Sequence, residues 1–284
     1  MTHAAYQLFS PAMRSTCVVF ASPHSGQAYT ETFQGQSRLA DAVLRSSEDA
    51  FVDELFADAP LHGAPFLTAL TPRAFVDFNR ASEELDPALI EGVRRLSPNP
   101  RVASGLGVIP RVVAGGRAIY DGKITLEQAH GRITRHWRPW HDRLQTLLDE
   151  SGRLFGRSIL IDCHSMPHEA LDAVAGIRPD VVIGDRFGAS ASAIIVAEIE
   201  AALTDAGLRV VRNAPFAGAF ATQHYGKPIR RQHALQIEID RALYMNEATL
   251  EKRADFDDLR RVLGAVTARI AAIGAADDRA LAAE

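Results

Sequence analysis

The sequence predicts an α/β fold in three layers, α/β/α, with helices on both faces of a central mixed, mostly parallel sheet. Three observations predict it. Short continuous apolar runs closed by turn residues, at residues 17–21 before Ser22-Pro23-His24 and at 158–161 before Asp162-Cys163-His164-Ser165, read as strands buried on both faces. Strand and helix patterns alternate through the second half of the chain, as βαβ units require. A length of 284 residues with 47% hydrophobic composition suits one large core, so residues 1–284 are read as a single domain.

Taken in order, strands are expected at 17–21, 65–70, 74–78, 158–163, 181–184, 209–212 and 234–239. Leu39, Val43, Phe51, Leu55 and Phe56 recur at helical spacing and predict a helix over about 36–57. Thr125-Leu126-Glu127-Gln128 has the form of a capping box and opens a helix to about Gly152. Pro139 should kink or break that helix, because it removes a backbone donor. A helix over 190–206 is stopped by Gly207 as its C-terminal cap. Asn246, a good N-cap, is expected to start the last helix, which reaches about Ile273. Residues 97–123 carry Pro98, Pro100 and Pro110 with Gly105, Gly107, Gly115, Gly116 and Gly122. They read as a long functional loop or small subdomain over the sheet edge, near the site.

Composition excludes several classes of partner. The net charge is −4 and the arginines are interspersed with acids, so no nucleic-acid surface is expected. No apolar stretch approaches the roughly 20 residues of a membrane span, and residues 1–16 lack the pattern of a signal peptide. Cys17 and Cys163 both fall in expected buried strands and make no disulfide framework, which fits a reducing cytoplasm. A small-molecule substrate is the expected partner.

Ligands of open α/β sheets bind beyond the carboxyl ends of the strands. Two strands deliver His24 and His164 there, each followed by Ser. A catalytic zinc needs three protein ligands and an open position. Either histidine alone reads as a hydrogen-bonded structural residue; together they read as two ligands of Zn2+. The third ligand is expected to be a carboxylate from Glu48-Asp49, on the helical segment after the first strand, and the residues by themselves leave the choice between them open. Alternation along 158–163 places Asp162 and His164 on one face and Cys163 with Ile161 on the other, so Cys163 is expected to pack rather than to act as a nucleophile.

Asn79 and Arg80 lie just past the expected strand 74–78, and their planar donors suit a clamp on a substrate carboxylate; the competing reading pairs Arg80 with a loop acid. Arg73 can meet the same site, where a cation would steady a developing oxyanion. Glu238 faces with Gln236 and Asp240 away from Leu235, Ile237 and Ile239. A carboxylate in such a strand is costly unless paired or used. Glu238 is therefore either the partner of an arginine or a general base that later protonates a leaving amine. Asn213, His224, Tyr225 and His233 surround these strands as binding residues or satisfied polar groups. Trp137, Trp140 and His141 are read as anchors of a helix on the core.

Together these residues resemble the N-formylglutamate amidohydrolase family, which shares a zinc-carboxypeptidase-like core with the aspartoacylases. The resemblance rests on Ser22-Pro23-His24-Ser25-Gly26, Glu48-Asp49 with Val52-Asp53-Glu54-Leu55, and Arg73 with Val76-Asp77-Phe78-Asn79-Arg80. It continues through Asp162-Cys163-His164-Ser165, Pro179-Asp180 with Gly184, Tyr225-Gly226, and His233-Ala234-Leu235-Gln236-Ile237-Glu238 with Tyr244-Met245, in matching order from about residue 15 to 250. It implies a zinc ion on His24, Asp49 and His164, Glu238 as general base, Arg73 as the oxyanion arginine, and Asn79 with Arg80 as the carboxylate clamp. His224 and Tyr225 fall on the substrate-binding side. Two departures stand out. Gln27 occupies the position, three residues after the first histidine, where carboxypeptidases and aspartoacylases carry their acidic ligand, so the acid must come from farther on. Glu48-Asp49-Ala50 stands where the histidine-degradation enzymes carry Thr-Asp-Trp.

The implied activity is zinc-dependent hydrolysis of the N-acyl amide of an acidic amino acid, with N-formyl-L-glutamate, split to L-glutamate and formate in histidine degradation, as the leading substrate. Two alternatives stay open: a peptidase or deacylase acting on another N-acyl amino acid or small peptide, and a non-catalytic metal-binding module.

Overall fold

A computed structural model describes residues 4–94, 99–172 and 178–275. Seven strands form one sheet: β1 (Tyr6–Phe9), β2 (Val18–Ser22), β3 (Phe66–Ala69), β4 (Ser158–Met166), β5 (Val181–Gly184), β6 (Val210–Arg212) and β7 (Gln232–Asp240). Their order is β1-β3-β2-β4-β7-β5-β6. Strands β3, β2, β4 and β7 run parallel. Edge strand β1 is antiparallel to β3, and the parallel pair β5–β6 is set antiparallel to β7. The sheet is mixed and mostly parallel, as the apolar runs predict.

The helices around it include α1 (Leu126–Arg132), α2 (Arg138–Phe155), α3 (Ala193–Asp205), α4 (Phe220–Tyr225) and α5 (Phe256–Ile273). Alternation divides the sheet side chains between two cores. Ile159, Ile161, Cys163, Leu235, Ile237 and Ile239 meet Ile195, Val196 and Ile199 of α3 and Leu263, Val266 and Ile270 of α5. On the other face Val19, Ala21, Leu160 and Ala234 meet Trp140, Leu144, Leu147 and Leu148 of α2, with Ala221 and Tyr225 of α4. Those α2 residues recur every three or four positions, and burying each leucine stabilises the fold by roughly 1.5–3 kcal/mol relative to exposure. No helix among the described residues is long and apolar enough to cross a membrane.

Cys163 lies with Ile161 in the α3–α5 core, on the face away from His164, and both cysteines are free and buried. Burial, with Asp162 nearby, pushes the Cys163 thiol well above its ordinary pKa. A nucleophile needs the opposite shift. Thr125 forms the predicted capping box with Gln128. The expected break near Pro139 is a π-helical turn, Ile133–Trp137, that joins α1 to α2; Pro139 then falls in the first turn of α2, where a missing N–H is tolerated.

Three expectations need correction. Residues 74–78 alternate like a strand but form a turn, in which Phe75 N–H and Val76 N–H both donate to Pro72 O. Pro72 starts the turn, and the apolar side chains Val76 and Phe78 are buried from a loop rather than from the sheet. The segment 36–57 is not one helix. It breaks into Asp41–Leu44, a 3-10 turn Arg45–Ser47 and Val52–Leu55, with Phe51 left-handed at φ 64°. The last helix begins at Phe256; Asn246 instead caps a turn by accepting from Ala248 N and Thr249 N between two short strands, Met245–Asn246 and Glu251–Lys252. The edge strand β1 has no counterpart in the sequence reading. Within 97–123, Ser97 and Pro98 lie outside the described residues; the rest holds a short helix Pro100–Ala103 and a small hairpin of Val112–Val113 with Arg117–Ala118.

Candidate metal centre and active site

The parallel strands β2, β4 and β7 end side by side, and the chemistry-bearing residues gather at those ends. His24 follows β2 by two residues, and His164 sits inside β4 directly opposite Glu238 of β7 in the parallel register. Asp49 reaches them because the segment after Ser47 unwinds, so that Asp49 N–H donates to His24 O at 3.1 Å. The break in the expected helix is therefore what brings the carboxylate in. Gly26 permits the turn beyond His24: a Cβ there would lie 2.3 Å from Thr71 O.

Ligand atoms of His24, Asp49 and His164, all buried, lie within 4.8 Å of one another. Both imidazoles present Nδ1 to the Asp49 Oδ2 oxygen, at 3.4 Å from His24 and 2.9 Å from His164. Their far nitrogens are held by separate carboxylates, His24 Nε2 by Asp77 Oδ1 at 2.7 Å and His164 Nε2 by Asp162 Oδ2 at 2.9 Å. Metal-binding histidines are oriented in this way, with the second N–H donated to a carboxylate so that the free lone pair faces the ion. His24 Nδ1 is buried and has no hydrogen-bond partner among the described residues. The donor set, two imidazoles and one carboxylate with one nitrogen orphaned, fits a three-ligand zinc site.

Electrostatics agree. Burial alone would lower the His164 pKa, but Asp162, Asp49 and Glu238 outweigh it and hold it well above the ordinary value. Burial alone would raise Asp49, yet the facing His164 and His24 keep it well below. Asp77 is likewise held low, where His24, Arg73 and Arg80 overcome burial. A negative field of this kind favours a cation at the point where these atoms converge. Glu48, the alternative ligand, is turned away: Arg45 Nε and Nη2 donate to its two oxygens at 3.0 and 3.1 Å.

Glu238 is 7% exposed and accepts a hydrogen bond from Gln236 Nε2. No basic side chain lies within ion-pair distance of it among the described residues, so the paired-arginine reading does not describe it. Burial pushes its carboxyl up to about 7, with His164, Arg73 and Arg241 pulling it down and Asp49 pushing it up. Arg73, with 25% of its side chain exposed, donates Nε–H to Asp77 Oδ2 at 3.2 Å and stands 3.8 Å from Asp49 Oδ1.

Arg80 is 5% exposed and forms no ion pair with an acidic side chain among the described residues. Its Nε–H donates to Leu106 O at 3.0 Å and its Nη1–H to Asn79 O at 2.8 Å. The segment 97–123 thus reaches the site: besides Leu106, Val108 O accepts from Asp77 N–H at 2.9 Å. Asn79 is placed differently from the clamp role. Its Nδ2–H donates to Asp162 Oδ2 at 3.2 Å and its Oδ1 accepts from Ala221 N–H at 2.8 Å, so its amide is committed inside the cluster. Tyr225 is buried in the α2 core with its hydroxyl 2.8 Å from His141 Nδ1, and it offers no free group to a ligand. His224 is exposed at the end of α4 and stacked on Phe220, away from His24, Asp49 and His164 among the described contacts.

Three partners went unassigned in the sequence: Asp77, Asp162 and Arg241. Asp162 was legible in part, since alternation puts it on the face of His164. Arg241, whose Nη2–H donates to Asp49 Oδ1 at 2.9 Å, had no local signal beyond standing three residues after Glu238.

The model of a known family, N-formylglutamate amidohydrolase, matches residues 16–245. The chain belongs to the N-formylglutamate amidohydrolase family. It is accordingly a hydrolase acting on an amide. It is 29% identical over 253 residues to the N-formylglutamate deformylase of Pseudomonas aeruginosa, covering 87% of this chain and 89% of that one. With the N-formylglutamate deformylase of Pseudomonas putida it shares 25% identity over 233 residues, 81% of this chain and 82% of the relative. The crystal structure of N-formylglutamate amidohydrolase from Ralstonia eutropha JMP134 is similar with a TM-score of 0.90 and 34% identity, covering 96% of this chain and 99% of that one.

Proposed function

We propose that the protein hydrolyses N-formyl-L-glutamate to L-glutamate and formate, using a zinc ion held by His24, Asp49 and His164. The observation that carries the reading is the convergence of two buried imidazole Nδ1 atoms and Asp49 Oδ2, each imidazole backed by its own carboxylate, with Glu238 beside them in register. The names of the Pseudomonas and Ralstonia relatives support the substrate. Bound zinc supplies Lewis-acid polarisation of the formyl carbonyl and lowers the pKa of water.

The chain's own residues do the rest. Glu238, with its carboxyl near 7, takes the proton from the attacking water and returns it to the departing amine nitrogen as the C–N bond breaks. Arg73 offers its guanidinium to the oxyanion. Arg80 pairs with the substrate α-carboxylate, with Leu106 O and Asn79 O fixing its orientation and Asn79 acting through that carbonyl and through Asp162. We read residues 1–284 as one domain, acting on a small soluble substrate in the cytoplasm, with no nucleic-acid or membrane partner.

Turnover of N-formyl-L-glutamate, N-acetyl-L-glutamate, N-formyl-L-glutamine and a glutamyl dipeptide tests the substrate. The expected order puts N-formyl-L-glutamate first in kcat/KM; a faster dipeptide or N-acetyl substrate gives the peptidase or deacylase reading instead. No turnover of any of them in the zinc-loaded protein supports the non-catalytic module.

Arg80→Lys tests the clamp. An ammonium cannot reproduce a planar two-point contact. Loss of one charge-assisted hydrogen bond, worth about 1.5–3 kcal/mol, should raise KM by roughly tenfold or more with kcat and thermal stability little changed. Wild-type KM, or a variant that fails to fold, makes Arg80 structural.

A further inference from the structure

We infer that Arg241 is a positioning residue that holds Asp49 to one-oxygen ligation of the metal. The inference rests on the metal-centre reading above. Arg241 opens the 3-10 turn Arg241–Leu243 directly after β7, and Asp240 caps that turn by accepting from Ala242 N–H at 3.0 Å. The turn carries the guanidinium back over the strand ends, where it is 5% exposed. Nη2–H donates to Asp49 Oδ1 at 2.9 Å and Nε–H to Ser165 Oγ at 3.2 Å. Ser165 follows His164 on β4, so one planar group ties together two of the three segments that supply the candidate ligands.

The two oxygens of Asp49 are thereby divided. Oδ2 faces both imidazoles, and Oδ1 is taken by Arg241, with Arg73 Nη1 standing 3.8 Å away on the same atom. A carboxylate free at both oxygens can bind an ion through either one or both. With Oδ1 occupied, only Oδ2 is available, and the coordination position that a second oxygen would fill stays open for water or substrate. Partners of this kind also set how strongly a ligand binds: their loss typically costs about 10–100-fold in metal affinity.

A plain charge-balancing ion pair would use the same arginine, so the test must hold the charge constant. Arg241→Lys keeps the positive charge and loses the planar reach to both Asp49 and Ser165. Zinc affinity, measured by competition with a chromogenic chelator on protein shown to be folded by circular dichroism, should weaken by about 10–100-fold. The cobalt-substituted variant should show weaker visible absorption than cobalt-substituted wild type, because d–d bands lose intensity as the coordination number rises from four. Ser165→Ala, which keeps the arginine and removes one anchor, should shift both readouts in the same direction by a smaller factor.

Wild-type affinity together with a wild-type cobalt spectrum in folded Arg241→Lys overturns the role of Arg241. If that variant does not fold, unchanged readouts in Ser165→Ala overturn it. Absence of zinc binding by the wild type would instead sink the metal-centre reading, so the two failures are distinguishable.

Discussion

Glu238→Gln should lower kcat by about 10²–10⁴-fold, the usual contribution of general acid–base catalysis, while zinc content and KM stay near wild type. The amide keeps the shape of the side chain and can still meet Gln236, but it cannot take a proton from water. The expectation follows from placement. Glu238 stands opposite His164 in the parallel register, buried, and without an ion-pair partner among the described residues. A purely structural carboxylate in that position would leave a buried charge uncompensated, at a cost of several kcal/mol. A poised base has the opposite logic, since burial brings its pKa up to about 7, close to the pH at which it must both accept and release a proton. Metal analysis and steady-state kinetics on the same preparation decide the matter. Loss of zinc in the variant makes Glu238 a ligand, and unchanged turnover removes it from the mechanism.

Removal of zinc with a chelator should abolish turnover without unfolding the chain, and returning zinc should restore it. The two cores on either side of the sheet include none of His24, Asp49 and His164, so the zinc-free protein is expected to keep its far-ultraviolet circular dichroism. Its melting temperature should nonetheless fall. A ligand that binds only the native state at about 1,000 times its Kd adds about 4.1 kcal/mol of stability. Here the effect has a local cause, because Asp49, Asp77, Asp162 and Glu238 crowd around His24 and His164. Differential scanning calorimetry with and without zinc measures the shift. A melting temperature indifferent to zinc would mean that the three donors do not hold the ion.

The strands that carry the site were legible in the sequence because parallel strands buried on both faces leave long apolar runs, and the turns that close them stand out. His24, His164 and Glu238 could be read from those ends, and the separation of Cys163 from His164 followed from alternation alone. What surrounds them was less visible. Residues 74–78 carry strand-like alternation, yet Pro72 commits them to a turn, and no ladder partner is encoded locally. The helix expected over 36–57 has sound apolar spacing, but tertiary context overrides propensity, and the chain is unwound where Asp49 N–H meets His24 O. Asn79, with side-chain donors suited to a substrate, spends them on Asp162. Arg241 and Asp77 act through contacts between segments far apart in the chain, for which a single sequence carries no periodic signal.

The wide turn Ile133–Trp137 between α1 and α2 sets an angular phase. On one side Arg132 stacks over Phe75, with its guanidinium 4.1 Å from the ring centre, and donates to Tyr120 Oη at 2.6 Å. On the other, Trp140, Leu144 and Leu148 face the sheet. Between them Trp137 Nε1–H reaches Arg80 O at 2.9 Å. An α-helix advances about 100° per residue, so a further residue inserted into this already widened turn would rotate α1 against α2 by about that angle. Either Arg132 would swing out of its aromatic surroundings or Trp137 would leave the backbone of Arg80. A further single-residue insertion, far more than a substitution, is the change this turn cannot absorb.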